Sequence, residues 1–593
     1  MLIIDCEVYA NYFLVMFKNI DNGKSAAFDM FEGQALNINR VKELMLGDTT
    51  ISFNGNSYDL PVIAEAVAGA SCERLKNLSD DLIKSKLPAW RICRDWKIHI
   101  PAWDHIDLIE VAPGKASLKI YGGRMNAPTM QDLPIAPGDL ISPEQREQLK
   151  TYCLNDLDTT EMLYRRLEPQ IRLREQIGKQ YGEIDLRSKS DAQIAETIIK
   201  HELEALTGKT YKPRKVEIGH VCRYVDPKIV SFKTPELREI FARILKTGLP
   251  VGTNGSVQMP EWLQKTRIRI GTAEFQMGIG GLHSCEKQQS VAAGTGQTLS
   301  DYDVASYYPS IILKLRLSPE SMGDDFLRVY QSIVTRRLLA KKNGNKIEAE
   351  TLKIVVNGSF GKLGSMYSSL YAPELLIQTT ITGQLCLLML IERLHAIGAR
   401  VVSANTDGIV VLSYDLSADR IDQITFEWML DTSFELERAD YRSIHSRDVN
   451  NYIAVKPDGT TKRKGAFSEP TLAKNPEFGV VTDALAEYLS KGTSIQDAIV
   501  ECRDISKFIM VRRVDGGAMW RGEFLGKAVR FYYSIHVRSD EHIEYARNTN
   551  KVPKSDGARP LMTLPGDFPD DIDYARYIGM ARDALRDLGV VYA

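Results

Sequence analysis

The sequence predicts a multidomain protein of mixed α/β and α+β class. The chain has 593 residues, which is too long for a single hydrophobic core, so about three to five domains are expected. Strand-like and helix-like patterns both occur along it: a hairpin pattern at residues 2–18, a capped helix from Ser142, and a second hairpin pattern at residues 400–412. The content of 44% hydrophobic and 26% charged residues is typical of globular domains.

The composition narrows the class of protein further. The segment Met1–Glu7 has no basic region and already contains acids, so a signal peptide is not expected, and the lack of any run of 18 apolar residues argues against a membrane span. The eight cysteines include no Cys-x-x-Cys pair, which argues against a zinc site or a disulfide framework and favours a reducing compartment. We therefore expect a cytoplasmic protein. Because the net charge is −2, any nucleic acid would have to bind through local basic patches.

The first predicted hairpin carries two carboxylates on one face. Leu2–Glu7 and Tyr12–Phe17 are strand-like, and Asp5 and Glu7 lie two positions apart, so both side chains project to the same side. Carboxylates this close repel each other and raise each other's pKa unless a cation lies between them. A solvated strand face is the alternative, although the strand is otherwise apolar.

Two more carboxylates follow at helical positions. Asp59 comes two residues before Pro61, which suits a first helical turn. Tyr152 and Asp156 are four apart, on one face of the helix whose capping box begins at Ser142. Singly, each of these residues is more often structural. Together, the four acids of this half are what a two-metal nuclease uses to hold two divalent ions and an attacking water.

Three other features of the sequence are less specific. Asp107 is a further carboxylate candidate for the same site, with a weak signal. Residues 526–533 mix cations and aromatics, which is typical either of a DNA-tracking surface or of a buried strand pair. Residues 90–97 also interleave basic and aromatic side chains, namely Trp90, Arg91, Arg94, Trp96 and Lys97.

The stretch Leu299–Leu313 begins as a strand and ends as a helix. Asp301 and Asp303 share one strand face, and Pro309 suits the first helical turn. A carboxylate at such a junction lies near the positive helix N-terminus, which is a good place for a metal that must also meet a polyanion. An ordinary strand end with a solvated acid is the alternative.

A second hairpin can place another carboxylate beside Asp303. In Arg400–Leu412, two β-branched strands flank Asn405–Gly408, which is a strong hairpin signal. Asp407 is therefore expected at the hairpin tip, where its carboxylate can face Asp303 from an adjacent strand.

Two helical patterns lie between these acids, at residues 325–341 and 352–364, with a break at Asn343–Asn345. The second pattern is rich in glycine, which allows another backbone or a flat base pair to come close. A helix that frays at its C-terminus is the alternative, but it does not explain polar and aromatic side chains in line with the glycines. The aligned side chains are Arg337 and Lys341 in the first pattern, and Lys353, Asn357 and Phe360 in the second.

The first half of the chain resembles the proofreading 3′→5′ exonuclease domain of family B DNA polymerases. The family's first motif, Asp-x-Glu, corresponds to Asp5–Glu7, and its third, Tyr-x-x-x-Asp, corresponds to Tyr152–Asp156. Its second motif, an Asn followed by an aromatic-Asp pair, corresponds to Asn54 and Tyr58-Asp59. The order and rough spacing agree. The resemblance implies an RNase H-like fold for residues 1–185.

The second half resembles the polymerase part of the same family and implies a right-hand polymerase with palm, fingers and thumb. Its three motifs, Asp-x-x-Ser-Leu-Tyr-Pro-Ser, Lys-x-x-x-Asn-Ser-x-Tyr-Gly and Asp-Thr-Asp-Ser, correspond to Asp303–Ser310, Lys353–Gly361 and Asn405–Gly408. Tyr452 and Lys464 resemble the later Lys-x-Tyr and Lys-Gly elements. Gly280-Gly281 resembles a Gly-Gly motif that links the two halves in some viral members, although a plain loop is equally consistent.

Several positions depart from the family's motifs. Asn405 replaces the first Asp of the third motif, which removes one negative charge from the expected metal site. Phe360 replaces a Tyr, Gly358 replaces a Ser, and Asn450 replaces the Lys of Lys-x-Tyr. These changes affect efficiency and metal preference more than reaction type. Asp301 is a candidate to restore part of the missing charge.

The resemblance implies a template-directed DNA polymerase with 3′→5′ proofreading, which binds primer–template DNA and deoxynucleoside triphosphates. It implies two Mg²⁺ ions per active site, with Mn²⁺ as a substitute. Tyr308 is expected to stack under the sugar and to exclude a 2′-OH. The implied catalytic residues are Asp303 and Asp407 in one site, and Asp5, Glu7, Asp59, Tyr152 and Asp156 in the other. The implied metal ligands are these residues without Tyr152, together with the Val304 carbonyl in the first site. The implied substrate contacts are Arg337, Lys341, Lys353, Asn357, Tyr308 and Phe360 for the nucleotide, and Tyr452, Lys464, Gly280 and Gly281 for DNA.

The resemblance also implies a division into domains. An exonuclease domain and a connecting region precede two parts of a palm that flank the fingers, and a thumb follows. The implied boundaries are 1–185 for the exonuclease domain, 186–297 for the connecting region, 298–324 and 371–470 for the palm, 325–370 for the fingers, and 471–593 for the thumb and C-terminal segment.

Two other functions are open at this point. A 3′→5′ exonuclease whose second half binds DNA but polymerises weakly is supported by Asn405. A catalytically silent DNA-binding replication subunit would not need both sets of carboxylates.

The spacing of the motifs bears on the partners of the protein. Asp303 and Lys353 are 50 positions apart, and Gly361 and Asp407 are 46 apart, so little length remains for subdomains that dock a protein primer. We therefore expect a monomer that extends ordinary nucleic-acid primers with modest processivity and relies on a helicase or another replisome accessory factor. The small size suggests a phage or other mobile element, which would place the protein in a host cell cytoplasm.

Overall fold

The computed structural model describes residues 1–414 and 418–591 of the chain. These residues form two compact units of mixed α/β structure, in agreement with the predicted fold class. The first unit comprises Met1–Lys189, Glu469–Val481 and Ile499–Tyr577. The second comprises Ser190–Ser468, Thr482–Ala498 and Ile578–Ala593.

The predicted exonuclease range 1–185 falls within the first unit. The fingers and nearly all of the connecting region and of the palm fall within the second, and the predicted thumb range is divided between the two. The functional names of these ranges and their boundaries remain predictions.

The chain contains the following elements in the part that the structure describes. The strands are β1 (Leu2–Tyr9), β2 (Tyr12–Asn19), β3 (Ser25–Phe31), β4 (Thr50–Ser52), β5 (His105–Asp107), β6 (Val221–Arg223), β7 (Gly248–Pro250), β8 (Ile268–Ile270), β9 (Ala273–Met277), β10 (Leu282–Ser284), β11 (Gln289–Ala292), β12 (Gln297–Val304), β13 (Arg400–Asn405), β14 (Gly408–Tyr414), β15 (Leu436–Tyr441), β16 (Ser443–Asp448), β17 (Asn451–Val455), β18 (Thr461–Arg463), β19 (Met510–Trp520), β20 (Glu523–Tyr533), β21 (Glu544–Tyr545) and β22 (Ala558–Pro560).

The helices are α1 (Ile38–Gly47), α2 (Asp59–Val67), α3 (Cys72–Lys84), α4 (Ala89–Trp96), α5 (Leu118–Arg124), α6 (Pro143–Gln180), α7 (Asp191–Thr207), α8 (Pro235–Lys246), α9 (Glu261–Lys265), α10 (Tyr307–Lys314), α11 (Gly323–Lys342), α12 (Lys346–Leu363), α13 (Pro373–Ala396), α14 (Ala418–Thr432), α15 (Gly479–Lys491), α16 (Ile495–Val500) and α17 (Tyr574–Asp587). Short 3₁₀ helices occur at Gly465–Phe467 and Ile505–Lys507.

A five-stranded sheet of order β3-β2-β1-β4-β5 forms the centre of the first unit. Strands β1, β2 and β3 are antiparallel neighbours, whereas β4 and β5 run parallel to β1. Tyr9 pairs with Tyr12, which confirms the predicted hairpin. This mixed sheet, with helices on both faces, agrees with the RNase H-like fold that the resemblance implies.

The two faces of β1 are buried against different helices, because side chains alternate along a strand. One face packs with α3 and α4, and the other packs with α6, whose predicted capping box at Ser142 and Gln145 is present. Asp5 and Glu7 alternate in step with Ile3 and Tyr9, so their side chains point to the face that packs with α6. The first face contributes Leu2, Ile4 and Cys6 to a core with Leu75, Leu78 and Ile92; the second contributes Ile3 and Tyr9 to a core with Leu149, Cys153 and Leu157.

The first unit also contains a four-stranded sheet of order β21-β19-β20-β22. Residues 526–533 lie in β20, and the buried strand pair is the correct interpretation for them. Arg530 is 0% exposed, and its guanidinium donates to the backbone carbonyls of Leu561 at 2.7 Å and Ala127 at 2.8 Å. Burial lowers the pKa of Arg530 to about 10. This side chain is therefore enclosed by protein and does not track DNA.

The second unit is organised around a seven-stranded sheet of order β15-β12-β14-β13-β10-β9-β8. Strand β12, which carries Asp303, lies between β15 and β14 and is antiparallel to both. The predicted connecting region supplies β8, β9 and β10, so it is part of the sheet that carries the candidate site. Two smaller sheets, β11-β16-β17-β18 and β6-β7, complete the β structure of this unit.

Helices α11 and α12 confirm the two predicted helical patterns and the break between them. Gly358 on α12 allows a close approach to α7, because a Cβ at this glycine would lie 2.7 Å from the carbonyl oxygen of Asp191. Helix α13 is a buried core helix of this unit. It has the length and apolar composition of a membrane span, with mean hydropathy 1.5, yet 83% of that window is buried inside the protein.

Candidate active sites

Four predicted carboxylates of the first unit, Asp5, Glu7, Asp59 and Asp156, form a group that we call the acid cluster. Carboxylate oxygens of Asp5 and Glu7 lie within 4.8 Å of each other and of the Cys153 sulfur. Asp59, the first residue of α2, accepts a hydrogen bond from the Cys6 thiol at 3.2 Å. The structure thus gathers acids from β1, α2 and α6, as the spacing of the motifs predicts.

Burial dominates the titration of the acid cluster. Burial, and then the charge of Asp156, raise the pKa of Glu7 to about 8, and burial raises the pKa of Asp59 to about 7. Burial, followed by the charges of Asp59 and Glu7, also raises the pKa of Asp5 well above its usual range. Buried acids of like charge favour a cation among them, and carboxylate oxygens are the ligands that Mg²⁺ takes. The donor set therefore fits the divalent ions that the resemblance implies.

Lys119 is a residue of this site that the sequence did not reveal. Its ammonium group pairs with the Asp156 carboxylate and lies 4.3 Å from the centre of the Tyr152 ring. Burial raises the pKa of Asp156, and Lys119 opposes that increase. Lys119 and Asp156 are 37 positions apart, which is why no local pattern joins them. The available signal is a single lysine in the first turn of α5, beside the buried Ile120 and Tyr121.

Asp107 has a structural role in the first unit. Its carboxylate accepts hydrogen bonds from the backbone N–H groups of Asn54 at 2.8 Å, Asn56 at 3.0 Å and Ile109 at 3.1 Å. Asn54 has a φ of 72°, in the left-handed region where asparagine is enriched among residues with a side chain. Asp107 therefore fixes the turn that leads into Asp59, and its charge helps to raise the pKa of Asp59.

Once metal has been removed, the stability of the first unit is expected to fall as the pH rises from about 5 to about 8. In the folded protein the pKa of Glu7 is about 8, whereas its ordinary value is 4.5, so folded Glu7 keeps its proton until the pH approaches 8. Across this range the unfolded chain binds fewer protons than the folded one, so the free energy of unfolding falls with pH. We expect the Tm measured in EDTA to fall by about 5 °C across the range, and to fall less in excess Mg²⁺.

The matched variant for this measurement is Glu7→Gln, whose side chain cannot ionise. Its decline in Tm between the two pH values should be shallower than that of the unaltered protein. Equal declines for the two proteins would show that other groups set the pH dependence.

In the second unit, Asp303 and Asp407 form what we call the acid pair. Asp303 pairs with Gly408 across β12 and β14, and the Val304 N–H donates to the Asp407 carbonyl at 2.7 Å. Asp407 lies in the two-residue turn between β13 and β14, which confirms the predicted hairpin tip. Burial, and then the charge of Asp301, raise the pKa of Asp303 to about 6, and burial raises the pKa of Asp407. These carboxylates are suitable ligands for the implied divalent ions.

Two glycines allow the turn beside the acid pair to form. A Cβ at Gly408 would overlap Oδ1 of Asp303, and a Cβ at Gly281 would lie 2.9 Å from the Cα of Thr406. Thr406 has a φ of 54°, which costs about 1–3 kcal/mol for a β-branched residue. Its N–H donates to the Leu282 carbonyl at 2.8 Å. The predicted Gly-Gly motif therefore lies directly against the turn that carries Asp407.

A cavity of about 700 Å³ contains the acid pair. This volume lies within the range of about 300–1,000 Å³ that is common for small-molecule sites. Arg337 and Lys341 reach it from α11, and Arg337 donates to the Ser306 hydroxyl at 3.1 Å. Its other lining residues include Asp301, Val304, Asn405, Glu435, Glu437, Tyr452, Lys462 and Lys464. The structure thus brings seven of the predicted residues to one cavity: Asp303, Val304, Asp407, Arg337, Lys341, Tyr452 and Lys464.

Asp301 is already paired within the second unit. Its carboxylate accepts a hydrogen bond from the Tyr441 hydroxyl at 2.5 Å and lies 3.0 Å from the Lys462 ammonium group. Lys462 offsets the charge of Asp301 in part, but that charge still raises the pKa of Asp303.

Two departures from the family's motifs are in contact with each other. The Asn405 side-chain amide donates to the side-chain oxygen of Asn450 at 3.3 Å and to the Val449 carbonyl at 3.4 Å. The motifs place an Asp and a Lys at the positions of Asn405 and Asn450. The two substitutions together exchange one negative and one positive charge for a neutral amide pair, so they leave the net charge of this corner unchanged.

The remaining predicted nucleotide residues lie apart from the lining of the cavity. Tyr308 stacks on Phe360 with 4.3 Å between ring centres, and its hydroxyl donates to the Gly280 carbonyl. Lys353 pairs with Glu350 at 3.2 Å, and neither Lys353 nor Asn357 lines the cavity. The roles of these residues toward nucleotide and DNA remain predictions.

Comparisons with known proteins give the following similarities. No protein-family model matches the chain. It is 23% identical over 243 residues to DNA polymerase 1 of Aeropyrum pernix, covering 34% of this chain and 25% of that protein. It is 22% identical over 205 residues to a DNA polymerase of Archaeoglobus fulgidus, covering 29% of this chain and 26% of that protein. The match thus spans about a quarter of the length of these curated relatives.

Among solved structures, the family B DNA polymerase of Pyrobaculum calidifontis matches with a TM-score of 0.42 and 15% identity, over 100% of this chain and 78% of that one. By sequence, this chain is similar to DNA polymerases over about a third of its length.

Proposed function

We propose that the protein is a template-directed DNA polymerase with a 3′→5′ proofreading exonuclease. The observation that carries this proposal is that each unit contains its own group of carboxylates, the acid cluster in the first and the acid pair in the second. The similarity to DNA polymerases supports the reaction class. A nuclease alone has no use for the second group, and a polymerase without proofreading has no use for the first.

In the polymerase reaction, Asp303, Asp407 and the Val304 carbonyl would hold two divalent ions. Such ions, when bound, polarise the phosphate and favour ionisation of the attacking hydroxyl. Arg337 and Lys341 lie along the same cavity, where their charges can neutralise the triphosphate and fix its position. The Ser306 hydroxyl holds the Arg337 guanidinium in place.

In the exonuclease reaction, the acid cluster would hold the divalent ions and Lys119 would balance its negative charge. Lys119 lies over the Tyr152 ring, so both side chains are held beside Asp156. Removal of the Lys119 charge would leave a more strongly repelling set of acids.

A 3′→5′ exonuclease with a weak polymerase half is the second candidate function. The observation that favours it is Asn405, whose neutral amide lines the cavity of the acid pair. Against it, Asn450 compensates the charge change. Primer extension with deoxynucleotides in Mg²⁺, scored for both growth and shortening of the primer, separates the two. Shortening without growth would establish the second candidate.

Substitution of Tyr308 is expected to weaken discrimination against ribonucleotides. Tyr308 is held flat against Phe360, as a rigid wall beside a sugar would be. We expect Tyr308→Ala to raise ribonucleotide incorporation relative to deoxynucleotide incorporation by about tenfold or more, because a removed steric contact of about 1.4 kcal/mol corresponds to that ratio. The measurement is competitive single-nucleotide insertion.

Tyr308→Phe is the matched control, because it keeps the ring and loses only the hydroxyl bond to Gly280. It should retain the discrimination of the unaltered protein. Tyr307 does not offer an alternative wall, since it is buried and its hydroxyl donates to the Gly383 carbonyl at 2.6 Å. An unchanged ratio in Tyr308→Ala would therefore refute the assignment of a sugar-excluding role to this motif.

We also propose primer–template DNA and deoxynucleoside triphosphates as ligands, a monomeric state, and dependence on a helicase or another accessory factor. A cytoplasmic location and a phage or mobile-element source belong to the same proposal. Extension of a singly primed circular template with excess trap DNA tests the dependence. Products many kilobases long from one binding event would contradict it.

A further inference from the structure

The helices α3 and α4 present an exposed surface that neither candidate active site uses. We call residues 83–97 the Trp90 surface. From Ile83 to Arg91, every residue except Ala89 is exposed. Trp90 itself is 66% exposed and Ile83 is 67% exposed, although both are among the residues that proteins usually bury. An exposed indole flanked by aliphatic side chains is a common feature of binding surfaces.

Cations surround the exposed indole. Residues 83–97 contain five basic residues and one acidic residue, so their net charge is 5 − 1 = +4, whereas the whole chain has −2. Two of the five pair with carboxylates, Lys84 with Asp80 and Arg94 with Asp95. In the part of the chain that the structure describes, no carboxylate pairs with Lys86, Arg91 or Lys97. The Arg94 guanidinium lies 5.7 Å from the centre of the Trp90 ring, one helical turn away. This surface is therefore a local basic patch of the kind that a chain of near-neutral charge needs in order to bind a polyanion.

The inner side of the same helix anchors the Trp90 surface to the fold. Ile92 and Cys93 are buried, and Ile92 packs into the core that contains Leu2, Ile4 and Cys6 of β1. The Trp96 ring nitrogen donates to Asp81 at 2.9 Å. Trp90 is therefore held on a fixed helix and contributes little to the core.

The Trp90 surface is separate from the acid cluster. Because side chains alternate along β1, the residues that pack with α4 point to one face of the sheet, and Asp5 and Glu7 point to the other. Asp59 accepts from Cys6 on the α4 face, but in the part of the chain that the structure describes no residue of 83–97 bonds to or pairs with the acid cluster. Nucleic acid on this surface would not occupy the acid cluster, so its binding is a property of its own.

We infer that the Trp90 surface binds single-stranded nucleic acid, with Trp90 stacking on a base and Lys86, Arg91 and Lys97 contacting phosphates. Aromatic faces among cations are the combination that binds single strands without sequence preference. A protein partner fits less well, because the centres of protein–protein interfaces are depleted in lysine. The inference goes beyond the proposed polymerase and exonuclease reactions, since binding here requires neither.

Photo-crosslinking tests the inference directly. The full-length Asp5→Asn, Glu7→Gln protein would be irradiated with an oligodeoxythymidine of about 20 nucleotides that carries bromodeoxyuridine, which is longer than the about 4–16 nucleotides that an OB fold covers on a single strand. Mass spectrometry of the digest should identify a crosslinked peptide that contains Trp90. Absence of any crosslink within residues 83–97 would overturn the inference, and it would leave a protein as the occupant to consider.

Substitutions then test the chemistry of binding. Trp90→Ala should lower the yield of crosslinks within residues 83–97. It should also weaken the affinity of the Trp90 surface for the oligonucleotide by about tenfold, the size of one lost stacking contact. Lys86→Glu with Arg91→Glu should also weaken it and make the dependence on salt shallower by about two ions.

The matched control is Arg172→Glu with Lys179→Glu, which makes the same charge change at exposed positions of α6 in the same unit. Their side chains are 73% and 59% exposed. This control should bind as the unaltered protein does. An equal loss in the control would show that only overall charge matters, and the inference would then fail.

Discussion

Asp407→Asn is expected to lower the rate of primer extension by about a thousandfold, while shortening of a mismatched primer continues at its normal rate. The substitution keeps the size of the side chain and removes one of the two charges of the acid pair. A factor of this size corresponds to about 4 kcal/mol of activation free energy, which is reasonable for a lost metal ligand. The measurement is single-turnover insertion of a correct deoxynucleotide, with mismatch removal scored in parallel.

Glu437→Gln is the matched control for Asp407→Asn. Glu437 lines the same cavity and lies opposite Asp303 in the β12–β15 register, but no motif assigns it a role. Its substitution also removes one negative charge, and we expect extension to change by less than about threefold. Normal extension by Asp407→Asn would show that the acid pair is not the polymerase site. A loss in Glu437→Gln equal to that in Asp407→Asn would show that the total charge of the cavity matters and that the motif does not.

The backbone positions of both sites could be predicted because they depend on local patterns. Period-two spacing placed Asp5 and Glu7 on one face, and β-branched flanks placed Asp407 at a hairpin tip, as the structure has them. The partners of these residues could not be predicted in this way. Lys119 meets Asp156 across 37 positions, and Lys462 meets Asp301 across 161. Only the folded chain brings such pairs together, and a single sequence contains no record of them.

Two segments with similar composition show the same limit. Both the Trp90 surface and residues 526–533 mix cations with aromatics. For either segment, composition alone allows a surface that contacts nucleic acid or a buried structural element. Arg530 lies in β20 and is buried against backbone carbonyls of other segments, whereas Arg91 is exposed on α4. Composition reports which side chains are present, but burial depends on what packs against the element. The functional interpretation therefore follows only once the packing is known.

The contact between Asn405 and Asn450 changes how the departures from the family's motifs are understood. Each alone removes a charge that the motifs provide, and each alone would leave an unmatched partner. In contact, the Asn405 amide donates to the side-chain oxygen of Asn450, so the two positions are joined by a hydrogen bond without an ion pair. Such an exchange is consistent with a retained reaction, because Asp303 and Asp407 keep their own charges and their place in the cavity.

The double substitution Asp5→Asn, Glu7→Gln is expected to lower removal of a mismatched 3′ end by about a thousandfold or more and to leave correct extension within about twofold. The carboxylate oxygens of these two acids lie within 4.8 Å of each other in the first unit, whereas Asp303 and Asp407 lie in the second. The measurement is single-turnover excision from a labelled mismatched duplex without deoxynucleotides.

The matched control is Asp158→Asn with Glu161→Gln, which removes two acids from α6 that pair with Lys18 at 2.6 and 2.7 Å. We expect this control to excise normally. Full excision by the first variant would refute the acid cluster as a nuclease site, whereas loss of excision in both variants would show that removal of acids from the first unit, and not the acid cluster itself, causes the effect.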